Sequence, residues 1–169
     1  MTQDVFAVIG ATGAQGDGTV RALLAQPGRP KRNAEGSLDF VLPMGDRPLP
    51  GIAAEDIGAC AAALMARGLR GREETVGIAG GHLTGAQMAE ALSRALGEPV
   101  RHVSPTRAQY AASGFPGAED LANMFAFKAE CNAAYCARRP VDATRALVPG
   151  LLDFDGWLAR NRAALMPPS

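Results

Sequence analysis

The chain has 169 residues, enough for one domain with at most a small appendage, and a domain of that size buries about 70% of its unfolded surface. Hydrophobic residues make up 47%, so disorder is excluded as the default, and no apolar run approaches the roughly 20 residues of a membrane span. Lys plus Arg and Asp plus Glu both count 17, which leaves a net charge of zero and gives direct nucleic-acid binding only weak electrostatic support.

The first predicted element is a strand over residues 5–10, from the apolar run Val5-Phe6-Ala7-Val8-Ile9. Gly10-Ala11-Thr12-Gly13-Ala14-Gln15-Gly16 follows, and a helix over 14–26 comes directly after. Strand, glycine-rich turn and helix in that order let backbone N–H groups approach a phosphate. Gly10 permits the tight turn, Gly13 removes a side chain where a pyrophosphate would lie, and Gly16 lets helix and strand pack closely. The positive end of the helix dipole then faces the phosphate. A bare packing role for the three glycines is the competing reading.

Pro27-Gly28 ends the helix, and 27–37 reads as an exposed connection in which Arg29-Pro30-Lys31-Arg32 is solvated. Leu38-Asp39-Phe40-Val41-Leu42 is a short strand, followed by a turn-rich stretch from Gly45 to Gly51. Ile57, Cys60, Ala61, Leu64 and Met65 recur at helical spacing between Ala53 and Arg67. Thr75-Val76-Gly77-Ile78-Ala79 is a third strand candidate. Thr84 and Gln87 form a capping box that opens a helix ending at Gly97, with Met88, Ala91, Leu92, Ala95 and Leu96 on its apolar face. Val100 to Ser104 alternates as a fourth strand. Helices are expected over roughly 106–113, 117–136 and 153–165, broken by Gly114-Phe115-Pro116-Gly117 and Pro149-Gly150. Strands alternating with helices give an α/β fold: Rossmann-like, with a reduced parallel sheet and a helical C-terminal region. The expected division is 1–104 for the nucleotide-binding part and 105–169 for a helical region, packed as one body or two.

Several stretches together resemble the NmrA-like family, an atypical branch of the extended short-chain dehydrogenase/reductase superfamily. They are Gly10 to Gly16, Leu42-Pro43-Met44-Gly45-Asp46 with Ala53-Ala54-Glu55-Asp56-Ile57-Gly58, Ile78-Ala79-Gly80-Gly81-His82-Leu83-Thr84-Gly85-Ala86-Gln87-Met88-Ala89, and Gly114-Phe115-Pro116-Gly117-Ala118-Glu119-Asp120-Leu121-Ala122-Asn123-Met124-Phe125. The resemblance implies a truncated NAD(P)-binding Rossmann domain over 1–104 and a small C-terminal substrate or partner region over 105–169, serving either a reductase or a redox sensor. Carried over by residue, Gly10, Thr12, Gly13, Gln15 and Gly16 would meet the pyrophosphate of NADP or NAD. Asp56 matches a family position near the cofactor-facing cleft, and its bland reading is a first-turn acid facing the helix dipole. The family's central strands and helices are replaced here by the short interval 27–37. With them go the residues that distinguish NAD from NADP and the catalytic positions in that block. A reductase-class or redox-sensing protein impaired by internal deletion is one expectation. A non-catalytic regulatory or protein-interaction module that no longer binds dinucleotide is the other. A shortened sheet exposes apolar edges, which favours a homodimer.

The superfamily's proton donor is a Tyr with a Lys four residues later. Of the two tyrosines here, Tyr110 is followed at that spacing by Gly114 and Tyr135 by Arg139, so no catalytic pair is expected. His82, in the turn before a helix, and His102, in a strand, lack metal-ligand spacing to each other or to the cysteines. Cys60, Cys131 and Cys136 are an odd set without a CxxC, which points to free thiols, with Cys131 and Cys136 partly buried and a redox-sensing thiol the alternative. Phe125, Phe127, Tyr135, Phe154 and Trp157 are expected either to pack a core or to line an apolar ligand pocket. The N-terminus carries no charged-then-apolar signal pattern, and a cytoplasmic protein without a membrane partner is expected.

Overall fold

Residues 30–67 and 75–165 are described by the structure, a computed structural model. The expected first strand, the glycine motif and the first helix lie outside the described residues, as do Gly68 and the last four positions.

The sheet is built from β1 (Lys31–Arg32), β2 (Leu38–Val41) and β5 (Val100–Val103), in the order β1-β2-β5. β1 runs antiparallel to β2 across the turn closed by Asn33, whose side chain accepts from the backbone N–H of Glu35 and Ser37 at 3.0 Å each. β2 runs parallel to β5, with Leu38 opposite Val100 and Phe40 opposite His102. A parallel pair needs a crossover rather than a hairpin, and the intervening chain supplies it. That chain holds β3 (Leu49–Gly51), α1 (Ala54–Ala66), β4 (Gly81–Leu83) and α2 (Gly85–Leu96). β3 and β4 pair antiparallel as a separate two-stranded unit.

α2 fulfils the expected pattern. Thr84 Oγ1 accepts from Gln87 N and Gln87 Oε1 accepts from Thr84 N, so the capping box is closed in both directions. Gly97 ends the helix at φ 79°, a left-handed conformation glycine adopts without a Cβ penalty. The buried face carries Ala89, Ala91, Leu92 and Leu96, with Met88 and Ala95 partly buried beside it.

Beyond β5 the chain is helical: α3 (Arg107–Ala111), α4 (Ala118–Glu130), α5 (Asn132–Ala137), α6 (Val141–Leu147) and α7 (Phe154–Leu165). Leu38, Phe40 and Val100 of the sheet, with Leu42 just beyond β2, meet Leu92 and Leu96 of α2 and Trp157, Leu158 and Leu165 of α7 in one core. Fully burying each such side chain stabilises by about 1.5–3 kcal/mol. Asp39 and Arg101 face each other on the opposite surface of the sheet, with Arg101 Nε donating to Asp39 Oδ1 at 2.9 Å. The architecture is therefore mixed α/β and Rossmann-like with a small, partly parallel sheet.

Five expectations are corrected. Residues 75–79 form no strand: Ala79 N donates to Thr144 Oγ1 at 3.1 Å, and a Cβ on Gly77 would collide with the Arg138 carbonyl. The segment is thus held against the C-terminal helices, and only Gly80 N, donating to Gly51 O at 2.8 Å, extends the β3–β4 pairing. The stretch from Gly45 to Gly51 ends in β3 instead of being all turn, and the 27–37 connection contains β1. The helix expected over 117–136 is split at Cys131, where Asn132 Nδ2 takes the Lys128 carbonyl at 3.2 Å. Such a side-chain bond competes with the helical backbone ladder. α6, which was not expected, is pinned by Thr144, whose hydroxyl donates to Pro140 O at 3.1 Å.

α1 also buries a different stripe from the one its apolar residues suggest. Asp56 and Cys60 are buried, whereas Ile57 and Met65 are exposed.

Candidate functional site

Parallel strands of this kind place ligands beyond their C-terminal ends, where strand order changes direction. At that end Leu42 N donates to Val103 O at 3.0 Å, and Gly45 N donates to Ser104 Oγ at 2.8 Å. His102 Nε2 lies 3.1 Å from Leu42 O, and its ring rests tilted against Phe40. The loop after β2 is thereby tied to the loop after β5. A Cβ on Gly85 would run into the His102 imidazole, so the start of α2 presses directly on this histidine. His102 is a packing residue at the mouth of the sheet.

His82 lies in β4, not in a turn as expected, and its Nε2 is 2.8 Å from Arg139 O. The two histidines are thus each committed to a different backbone carbonyl. Among the described residues no group of His, Cys, Asp and Glu is arranged to hold a metal ion.

Asp56 is buried, and its Oδ2 accepts from Leu152 N at 2.8 Å. Its carboxylate therefore ties the start of α1 to the turn before α7, which neither reading of the sequence anticipated.

The two phenols are set in contrasting surroundings. Tyr110 is 2% exposed, with Phe115 and Phe125 edge-on to its ring at 5.7 and 5.8 Å between centroids. Its hydroxyl has no hydrogen-bond partner among the described residues, and burial pushes the phenol up from its ordinary value. Tyr135 is half-buried and Arg139 lies over its ring face, 3.7 Å from the centroid. The four-residue spacing thus brings the cation to the π face and to the Tyr135 carbonyl, which accepts from Arg139 at 2.9 Å. A Lys that lowers a phenol pKa must act on the hydroxyl end, whereas Arg139 stacks on the ring face of Tyr135.

Lys128 completes this region. Its Nζ lies 5.7 Å from the Phe125 centroid and 5.6 Å from that of Tyr135. Burial, with the Arg139 charge nearby, holds the ammonium below the ordinary lysine range. α5 is anchored on its other side by Asn132 Nδ2, which donates to Pro48 O at 2.8 Å, and Cys136 Sγ points to the same carbonyl.

The aromatic residues of the last third do not form one cluster. Phe154 and Trp157 stack at an interplanar angle of 9° against the main core, Phe125 packs with Tyr110, and Phe127 is 57% exposed, edge-on to Tyr135. All three cysteines are free thiols. Cys60 is buried and Cys136 half-buried, and burial raises both above the ordinary thiol value, which disfavours the reactive thiolate. Cys131 is exposed instead of partly buried, because it sits at the outward-facing junction of α4 and α5.

Gly10, Thr12, Gly13, Gln15 and Gly16 lie outside the described residues. The parallel pair, its crossover and the covering helices define a Rossmann-like α/β protein. Residues 25–158 match the model of the NmrA-like family, and the chain belongs to that family.

Solved structures agree on the fold. A crystal structure of NmrA, a negative transcriptional regulator, in complex with NAD superposes with a TM-score of 0.60 at 21% identity, covering 80% of this chain and 45% of that one. The same regulator in complex with NADP gives 0.59 at 21%, with the same coverage. An NADPH-dependent quinone oxidoreductase, QOR2 from Escherichia coli, complexed with NADPH, gives 0.52 at 22%, covering 75% of this chain and 44% of that one. The chain therefore spans less than half the length of these proteins. No helix among the described residues is long and apolar enough to cross a membrane.

Proposed function

We propose that the chain is an NAD(P)-binding member of the NmrA-like family, of the reductase or redox-sensing class, with catalysis impaired by loss of the central Rossmann block. The observation that carries this reading is the family match over residues 25–158, joined to a glycine motif at 10–16 that precedes it. The cofactor, NADP or NAD, would lay its pyrophosphate on Gly10, Thr12, Gly13, Gln15 and Gly16. Its support from relatives is that NmrA has been crystallised with NAD and with NADP, and QOR2 with NADPH. The surroundings of Tyr110 and Tyr135 favour binding without turnover. On this reading residues 1–104 hold the dinucleotide and 105–169 form the substrate or partner region, in a cytoplasmic protein that pairs as a homodimer through its shortened sheet.

The second reading is a regulatory or protein-interaction module that no longer binds dinucleotide. It is favoured by the helical region from α3 to α5, which displays Phe127 at its surface, and by the role of NmrA as a negative transcriptional regulator.

Titration of purified chain with NADPH and NADH, with a thermal melt in parallel, separates the two. Saturable binding that is lost in Gly13→Asp without loss of fold supports the first. A folded chain that binds neither dinucleotide at millimolar concentration leaves the second.

A further inference from the structure

We propose that Lys128 and Arg139, set against the Tyr135 ring, form a binding site for a small aromatic oxyanion: a phosphate or carboxylate carried on a planar ring. It draws on none of the residues of the glycine motif and goes beyond the dinucleotide reading.

Two like charges converge on one side chain. Lys128 Nζ and the Arg139 guanidinium lie 5.6 and 3.7 Å from the same ring centroid. Neither forms an ion pair with a carboxylate among the described residues, whose bridges join Arg32 to Glu98, Arg94 to Glu90 and Asp155, and Arg101 to Asp39. The ring quadrupole offsets part of their mutual repulsion. Burial of Lys128 removes part of its hydration, so an arriving anion has less water to displace.

The donor set also fits. Arg139 spends one of its guanidinium N–H groups on the Tyr135 carbonyl, which leaves the others for an oxyanion. A planar fork beside an ammonium matches phosphate or carboxylate oxygens. Phe127, edge-on to Tyr135 and 57% exposed, offers an apolar surface for the ligand's ring. The scaffold is held from behind: Asn132 fixes α5 to Pro48, and His82 Nε2 contacts the Arg139 carbonyl. An anion seated between Lys128 and Arg139 would relieve the repulsion of two like charges held at one ring.

The test titrates the full chain with phenyl phosphate, benzoate and inorganic phosphate at constant ionic strength in chloride. Saturable binding of at least one aryl anion, tighter than inorganic phosphate, is expected, and phenyl phosphate against benzoate tells the two headgroups apart. Lys128→Met and Arg139→Gln should each weaken it about 10-fold, as expected for loss of one charge-assisted contact. Lys128 titrated by NMR in the unmodified chain should show its pKa rising when the anion saturates, a readout that does not depend on the variants folding. No saturation, equal affinity for inorganic phosphate, unchanged binding in both variants, or a Lys128 pKa that stays put would each overturn the proposal. Failure of NADPH to bind bears only on the dinucleotide reading.

Discussion

The Asp56 carboxylate accepts the backbone N–H of Leu152 at 2.8 Å, across 96 positions of sequence. It joins the first turn of α1 to the turn that launches α7, and α7 supplies Trp157 and Leu158 to the core. Asp56→Ala would leave that N–H without its acceptor. Urea denaturation should show a loss of about 1–3 kcal/mol, and Asp56→Asn, which keeps an oxygen acceptor, should lose less. Equal losses in the two variants would mean that the bond itself contributes little.

Two helical glycines should respond with opposite sign. Gly85 presses on the His102 ring with no room for a Cβ, whereas Gly58 in α1 has nothing within 4 Å of the position a Cβ would take. Gly85→Ala should therefore destabilise by about 1–3 kcal/mol through overpacking. Gly58→Ala should stabilise by about 0.5–1 kcal/mol, because alanine loses less backbone freedom in a helix. Thermal melts of the pair check both signs at once.

Tyr110 buries a hydroxyl that has no partner among the described residues. Tyr110→Phe keeps the ring contacts with Phe115 and Phe125 and removes the desolvated oxygen, so stability at neutral pH should rise by about 1 kcal/mol. The phenol also has a folded pKa raised by burial. The unfolded chain ionises first, near pH 10, so stability falls as pH rises from there through the folded pKa. Tyr110→Phe should flatten this alkaline limb in a series of denaturation curves.

Asp39 behaves in the opposite direction. The hydrogen bond from Arg101 holds its carboxyl below the ordinary value. A lowered folded pKa gives stability that is present above the unfolded value of about 3.9 and is lost as pH falls through the folded one. NMR titration should place the Asp39 carboxyl closer to that ordinary value in Arg101→Gln, with a weaker acid limb. An unmoved Asp39 titration would show that Asn33, 3.4 Å away, suffices.

Local signals were legible wherever chemistry and structure coincide within a few residues. Thr84 with Gln87 opened α2 and Gly97 closed it, because caps are read over four positions. The alternation of Leu38 to Val41 and Val100 to Val103 marked the paired strands, whose buried and exposed faces follow a period of two. The fate of 75–79 was not legible. Its β-branched residues suit a strand, but the acceptor waiting for Ala79 N is Thr144, 65 positions away. α6 was missed for a related reason, since the Thr144 hydroxyl that bonds Pro140 at its N-cap also accepts from Ala79, 65 positions away. At the candidate site the sequence exposed the Tyr135 and Arg139 spacing, yet it could not say that the cation would cover the ring face or that Lys128 would join it.

The parallel junction of β2 with β5 has a consequence for the order of assembly. Asp39 and Arg101 are partners 62 positions apart, so forming their register closes a long loop and loses the entropy of that closure. Two neighbouring units can form earlier from contacts close in sequence: the β1–β2 hairpin, and α2 with β5 across the Gly97 turn. Their docking should then be the slow step, and until it is complete both would present an unpaired strand edge to other chains. The kinetics of refolding should therefore depend on protein concentration, with self-association competing at that single stage.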